Sequence, residues 1–526
     1  MSSQHGLPSD GLSPSGMLDS EQFRSLAHEA VDIAAEYLAT LPSQPVYQRM
    51  PSHAIASILD APLPAAGNPA RDVLETVAAE IMPYPMGNGH PRFFGWVNSP
   101  PDPIGIVAEL LAATMNPSCA GGDHAAIYLE RTTVRWLMEL VGYPTDGSMG
   151  ILVSGGSMAS LTCLAAARHQ TATVDGWSIR EEGFQGARPP LIMYVSSETH
   201  TTVIKAAELL GIGSTHVRMI AADRHYRFDP RELARQIDRD RADGLRPFCV
   251  VGSAGTVNTG AIDPLDELAD LCGDEGLWLH VDGAYGGVGI LDERRRDLFR
   301  GMERADSLAI DPHKWLSVPV ECGCAMVRTG ALLRDTFSLV PPYIRVEEGK
   351  GIGGLPWYSE YGFQQSRGFR ALKTWMTLAH SGRDGLARVI SRHNDLAASL
   401  VDLIRESPDL ELVEAPVLSI VCFRYHPRHP ELDDDALNAI NKRIMEDVQS
   451  DGTAFLTQAV LRGTFALRAN ILHFGTTVED LDTLVSAVLE AGARATHRER
   501  ASVDGPEFHG ASNHHERLNV RSADEQ

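Results

Sequence analysis

An apolar run closes on a lysine in Leu308-Ala-Ile-Asp-Pro-His-Lys-Trp315, where Lys314 stands between His313 and Trp315. Loss of water around such a lysine favours its neutral amine, a nucleophile suited to imine formation with a carbonyl. The opposing reading is a surface lysine whose stem lies along apolar surface while its charge stays in water. Asp282, in His280-Val-Asp-Gly-Ala-Tyr285, ends a second apolar run. A carboxylate there faces the crevice in which open α/β sheets bind ligands, or else caps a turn. A third stretch, Val153-Ser-Gly-Gly-Ser-Met-Ala-Ser160, places a glycine turn between strand-like Ile151-Leu-Val153 and a helical segment. Its backbone N–H groups, the helix N-terminus and the Ser157 hydroxyl suit an anion, although such turns also occur without a ligand. The spacing matches neither G-x-G-x-x-G nor G-x-x-x-x-G-K-[ST], which disfavours a nucleotide. His200, in Ser196-Ser-Glu-Thr-His200, sits where a strand gives way to a helix.

These parts meet the needs of one cofactor. Pyridoxal phosphate requires an imine-forming lysine, an acid at its pyridinium nitrogen, an anion site for its phosphate, and groups that sandwich its ring. Lys314, Asp282 and Gly155-Gly156-Ser157 supply the first three, and the His200 imidazole is placed to stack on the ring.

The elements that must hold them alternate. Strands are expected at 191–197, 216–220, 248–253, 277–281 and 307–310, and helices at 201–210, 230–240 and 263–274, the last with Asp263 as N-cap. That order implies βαβ units and a mainly parallel sheet covered on both faces, an α/β fold. Ahead of it, 17–98 reads as a helical arm behind a loose Ser/Gly/Pro-rich start at 1–16. The large domain is expected at 99–385. A smaller α+β domain follows at 386–495, with strands at 419–424, 454–459 and 464–472 between helices 386–406, 433–449 and 477–495. The polar residues 496–526, with His509, His514 and His515, are expected to be a disordered tail.

Composition narrows the partners. The 526 residues carry 46 Lys and Arg against 69 Asp and Glu, a net charge of −23, which argues against nucleic acid. No secretory leader is evident and no apolar run is long enough to span a bilayer, so a membrane partner is not expected. Seven scattered cysteines read as reduced thiols in a cytoplasmic protein. Cys322-Gly-Cys324 alone does not make a metal site, and none is expected.

The motifs His90-Pro-Arg-Phe-Phe94, Gly155-Gly-Ser157, Ser197-x-x-His200, His280-Val-Asp282-x-Ala284-Tyr285 and Pro312-His-Lys-Trp315 resemble those of the pyridoxal-phosphate-dependent group II amino acid decarboxylases. The resemblance runs from about His90 to Val488 and implies a fold type I enzyme of amino acid metabolism, a homodimer with shared active sites. It implies that Lys314 holds the cofactor as an imine, Asp282 pairs with the pyridinium nitrogen, and Ala284 packs on the ring face opposite His200. The Gly156-Ser157 turn would bind the phosphate, with His313 near the phosphate or the imine. It further implies that Tyr358, after the glycines of 348–354, protonates carbon once CO2 has left, from the partner subunit; the alternative is a tyrosine that only covers the site. Aldehyde-forming relatives carry phenylalanine there. Phe94, Trp96, Val97 and Ser99 are expected in the substrate wall, which suits a neutral hydrophobic side chain, whether aromatic, branched aliphatic or methionine-like. Arg468 resembles an arginine that meets substrate carboxylate, which keeps an acidic substrate open, or else forms a structural salt bridge. Departures include Asp311 for a common asparagine, Val257 for a threonine, and Ser118-Cys119-Ala120 without aromatic residues. Another pyridoxal lyase or aldehyde synthase would share the cofactor residues, and a non-catalytic binder would require an inert Lys314.

Overall fold

The structure, a computed structural model, describes residues 17–339, 350, 357–429 and 432–503, with side chains to 497. The expectations for 1–16, for the glycines of 348–354 and for the tail beyond 503 fall outside the described residues.

The arm comprises α1 (Ser20–Thr40), α2 (Ser52–Leu59) and α3 (Ala70–Thr76). Asp19 and Gln22 form a capping box that satisfies first-turn N–H groups of α1. None of these three helices contains a buried residue, and Phe23, Val31, Ile55, Ile58 and Val73 are exposed. An amphipathic helix with its apolar side in water gains little from its own chain.

The large domain begins with α4 (Pro103–Met115) and α5 (Ala125–Val141). It continues through β1 (Met149–Val153), α6 (Gly156–Val174), α7 (Ile179–Glu182), β2 (Leu191–Ser196), α8 (Thr201–Leu209) and β3 (Val217–Ile220). Then come α9 (Pro230–Ala242), β4 (Arg246–Ser253), α10 (Leu265–Glu275), β5 (Trp278–Asp282), β6 (Ser307–Ile310), β7 (Gly323–Val327) and α11 (Ala331–Phe337). The strands form a seven-stranded sheet in the order β1-β7-β6-β5-β4-β2-β3. From β6 to β3 every pair is parallel, and β7 runs antiparallel to both β6 and β1. Helices cover both faces, so β2 is buried at every position and β4 at all but its first.

Two local expectations change. The strand β7 was not anticipated. Asp263 does not cap α10, whose N-cap is Pro264; its carboxylate instead accepts the N–H groups of Phe228 and Ser253, both at 2.7 Å. Burial pushes this carboxyl up to about 7.

The small domain is joined through α12 (Arg370–Glu406), which bends at Gly382, where φ is 62° and a side chain would be strained. Beyond it lie β8 (Leu410–Glu414), β9 (Ile420–Tyr425), α13 (Asp434–Asp451), β10 (Thr457–Leu461), β11 (Thr464–Asn470) and α14 (Val478–Val503). The four strands form an antiparallel sheet ordered β10-β11-β9-β8. β8 was not anticipated, β10 lies later than the expected 454–459, and α14 continues past 495. Phe423, Ile444, Leu467 and Leu484 form part of this domain's own core.

A fully buried ion pair locks the site's floor. Arg367 reaches Glu130 with two bonds of 2.9 and 2.5 Å and also donates to the carbonyls of Leu152 and Cys119. Glu130 in turn accepts the Leu152 N–H at 3.1 Å, at the end of β1. Arg367→Met leaves the buried Glu130 carboxylate without its counter-ion, only the Leu152 N–H remaining, and is expected to cost about 3 kcal/mol in urea unfolding. Adding Glu130→Leu should recover part of that loss. An unchanged midpoint for the single variant would contradict the assignment.

Candidate active site

Parallel strands present their C-terminal ends along one edge, and the predicted residues gather there. Gly155–Ser157 follow β1, His200 follows β2, Asp282 ends β5, and Lys314 follows β6. They border one cavity of about 490 Å³, together with Ala284, Asp311 and His313. The small domain closes it with Thr457, Gln458 and Arg468, and the segment Trp96–Asn98 completes the wall.

The turn entering α6 is glycine because of close approach. A Cβ on Gly156 would lie 2.8 Å from Asp311 Oδ2 and 3.0 Å from the Ala284 methyl; one on Gly155 would lie 3.1 Å from His313 Cε1. No side chain caps α6, so its first N–H groups face the cavity end of the turn. Across it, Lys314 Nζ lies 2.9 Å from Asp311 Oδ2. The Cys322 N–H donates to His313 Nδ1 at 3.0 Å, which places the ring proton on Nε2. Burial holds the His313 pKa below its ordinary value.

Asp282 accepts the Ala284 N–H at 3.1 Å and otherwise faces the cavity. His280, two residues earlier on β5, contacts Ser307 and Ser160 at 2.9 and 3.3 Å, and burial lowers its pKa to about 4. His200 is the N-cap of α8, with Nδ1 accepting from the Thr202 N–H and 2.8 Å from its hydroxyl. Burial, helped by the Lys314 charge, lowers the His200 pKa, against an opposing pull from Asp282. The ring is therefore neutral near pH 7.

Two buried polar atoms at this cavity have no protein partner, Arg468 Nη2 and Asp311 Oδ1. An uncapped helix, a lysine, an acid on a neighbouring strand and a neutral imidazole fit pyridoxal phosphate. Comparison with known proteins agrees: residues 51–426 match the pyridoxal-dependent decarboxylase conserved domain. The chain belongs to that family.

An aromatic-L-amino-acid decarboxylase of Bacillus atrophaeus is 34% identical over 472 residues, 89% of this chain and 95% of that protein. An acidic amino acid decarboxylase of Homo sapiens is 30% identical over 460 residues, 86% of this chain and 87% of that protein. The crystal structure of Oryza sativa TDC with PLP and tryptamine superimposes with a TM-score of 0.85 at 26% identity, covering 92% of this chain and 99% of that one. The decarboxylase is a fold type I carboxy-lyase whose cofactor is pyridoxal phosphate.

Its expected substrate residues are divided by the structure. Trp96 and Val97 line the cavity, and the Trp96 carbonyl accepts from Arg468 Nη1 at 3.0 Å. Phe94 is instead packed in the small-domain core. Ser99 is buried off the cavity wall, its hydroxyl donating to the His313 carbonyl at 3.2 Å; it braces the lysine loop. Arg468 forms no salt bridge among the described residues; Nε donates to the Asn258 carbonyl at 3.2 Å and Nη2 remains for a ligand. Tyr358 is 2% exposed, with the Arg367 guanidinium 5.2 Å from its ring centre, and does not line the cavity of its own chain. Glu198, Asn258 and Gln458 line the cavity but were not singled out beforehand. The nearness of Glu198 to His200 in sequence was the one available signal; β10 and its Gln458 come from another domain.

Trp315 anchors the lysine loop from behind. Its indole N–H donates to His393 Nδ1 at 2.9 Å, and His393 Nε2 meets the His473 carbonyl at 3.2 Å. Since an indole only donates, His393 must be neutral, and burial lowers its pKa to about 3. A lowered histidine pKa contributes stability that is present above 6.5 and lost as pH falls from 6.5 toward 3. Between pH 7 and pH 5 this histidine accounts for a loss of about 2 kcal/mol. His393→Gln should show a correspondingly smaller change in urea stability over that interval, and equal changes would refute the tautomer assignment.

Proposed function

We propose that the decarboxylase converts a neutral hydrophobic L-amino acid to its amine and CO2. The observation that carries the reading is the cavity's charge inventory. An amino acid with a neutral side chain brings one carboxylate, and Arg468 offers one buried, unpartnered Nη2 to receive it. Lys314 is already paired with Asp311, and Glu198 adds a carboxylate to the same wall. An acidic side chain would meet Glu198 with no second unpaired Lys or Arg among the described residues that line the cavity. Trp96 and Val97 supply the apolar surface.

In this reading Lys314 would be the residue that holds the cofactor covalently. When bound, pyridoxal phosphate accepts the electron pair left as CO2 departs. Asp282 would hold positive charge at the pyridine nitrogen, His200 and Ala284 would flank the ring, and Gly156-Ser157 would seat the phosphate. Arg468 orients the α-carboxylate. Tyr358 of the partner subunit returns a proton to the α-carbon, a reading supported by its absence from the lining of the cavity of its own chain. The unburied apolar sides of α1–α3 support a homodimer built through the arm. Seven buried, unbridged cysteines support a cytoplasmic location. No helix among the described residues is long and apolar enough to cross a membrane.

The test is a panel of aromatic, branched aliphatic, methionine-like and acidic L-amino acids, with CO2 and amine measured together. Equal yields from a neutral class support the reading. Turnover confined to glutamate, aspartate or their sulfur analogues would overturn it.

A further inference from the structure

Asp311 is an acid in a seat built for an anion. Its carboxylate is 4% exposed and lies directly beneath the turn that opens α6, so close that a Cβ on Gly156 would sit 2.8 Å from Oδ2. From the other side, a Cβ on Gly323 of β7 would sit 2.8 Å from Oδ1, which has no partner. Lys314 Nζ binds Oδ2 at 2.9 Å, and His313 Nε2 is 3.8 Å away.

Among the described residues, the other titratable groups around it offer no unpaired cation. Burial lowers the pKa of His313 on the same loop and of His200 across the cavity, and raises the Cys322 and Cys324 thiols of the adjoining strand. Asp282 adds a further carboxylate, and the cations Lys373 and Arg370 of α12 are paired with Glu109 and Glu321. One ammonium therefore faces both the carboxylate and an arriving phosphate of about −2 charge. Two anions sharing one small site cannot both stay ionised without large cost.

We infer that Asp311 takes up a proton when phosphate docks, and that the neutral carboxyl then donates a hydrogen bond to the phosphate. This rests on the reading of Gly156-Ser157 as the phosphate seat. The proton comes from solvent and returns there when the phosphate leaves; no other bond is made or broken. Asp311 is thus a positioning residue that couples cofactor affinity to pH.

The probe is pyridoxine 5′-phosphate, which lacks the aldehyde and binds without a bond to Lys314. Its Kd is measured on cofactor-free enzyme from pH 6 to pH 8 for the wild type and Asp311→Asn, whose amide donates without a proton being taken up. The ratio of wild-type to variant Kd should rise with pH, by up to about tenfold per unit. A ratio constant across the range overturns the inference. Calorimetry of the wild type at pH 8 in two buffers of different ionisation enthalpy gives a reading that needs no variant. Uptake of about one proton is expected, and uptake of none overturns it. Gly156→Ala separates the two levels: if it binds the probe as tightly as wild type, the phosphate seat is misplaced and the inference falls with it. If it binds weakly while the Asp311→Asn ratio stays flat, only the inference falls.

Discussion

Lys314→Ala is expected to lower turnover by roughly 10³-fold or more, with both CO2 and amine lost together. The side chain is 24% exposed and its one ion-pair partner is Asp311, so its removal opens no core cavity. The variant should therefore fold, and pyridoxine 5′-phosphate should still bind through the proposed Gly156-Ser157 seat, more weakly because the ammonium beside Asp311 is gone. What disappears is the covalent attachment, read as loss of the visible imine absorption that appears when cofactor is added to the wild type. A substitution that removed only charge would behave otherwise: Lys314→Arg keeps the pair with Asp311 yet should be equally inactive, because a guanidinium is not a nucleophile at neutral pH. Retention of the absorption band in Lys314→Ala would move the attachment to another lysine.

Tyr358→Phe is expected to reduce amine formation by about 10²- to 10⁴-fold, the range associated with loss of a positioned proton donor. Burial raises the Tyr358 pKa well above its ordinary value, so the hydroxyl is a protonated donor across the neutral range. Phenylalanine retains the ring beneath the Arg367 guanidinium, so stability should change little. Product analysis distinguishes a donor from a cover. Loss of a donor diverts products in aerated buffer, where dissolved O2 and water give aldehyde, ammonia and peroxide beside CO2 in place of amine, whereas loss of a cover slows everything alike. The subunit of origin is tested by mixing: Lys314→Ala and Tyr358→Phe chains, each inactive alone, regain activity in a mixed dimer if the tyrosine serves the neighbouring site. No recovery would place Tyr358 in the site of its own chain.

The parts of this molecule that could be read in advance are those with local causes. Strands β2, β4, β5 and β6 are short apolar runs buried on both faces, and their periodicity is self-contained. Lys314, Asp282 and His200 could be located because each lies at a strand end, and parallel strands bring such ends together. β7 escaped because Gly323-Cys-Ala-Met-Val327 opens with three small residues and overlaps the Cys322/Cys324 pair, which draws attention to metals. β8 escaped because its Leu and Val alternate with Glu411 and Glu414 at a half-exposed sheet edge. The cavity wall was harder. Phe94 and Trp96 are two residues apart, yet one packs into the small-domain core and the other faces the cavity, with a left-handed φ of 45° at Trp96. Nothing in the local pattern announces that turn. Nor does any spacing link Glu130 to Arg367, since their meeting is set by the whole sheet and the long helix beyond it.

The place of β1 in the sheet has a consequence for how the chain comes into being. β1 lies at the sheet edge with β7 as its strand neighbour, Met149 opposite Val327. During synthesis the glycine turn after β1 leaves the ribosome well before the strand that must pair with it. Gly323 of β7 presses on that turn so closely that a Cβ there would lie 2.5 Å from the Gly155 backbone. The turn is thus shaped from behind by residues made much later, and such long-range pairings form slowly. A nascent chain that has not yet reached Gly323 carries the glycines but not their backing. If that turn seats the phosphate, cofactor capture can only follow completion of the sheet through β7.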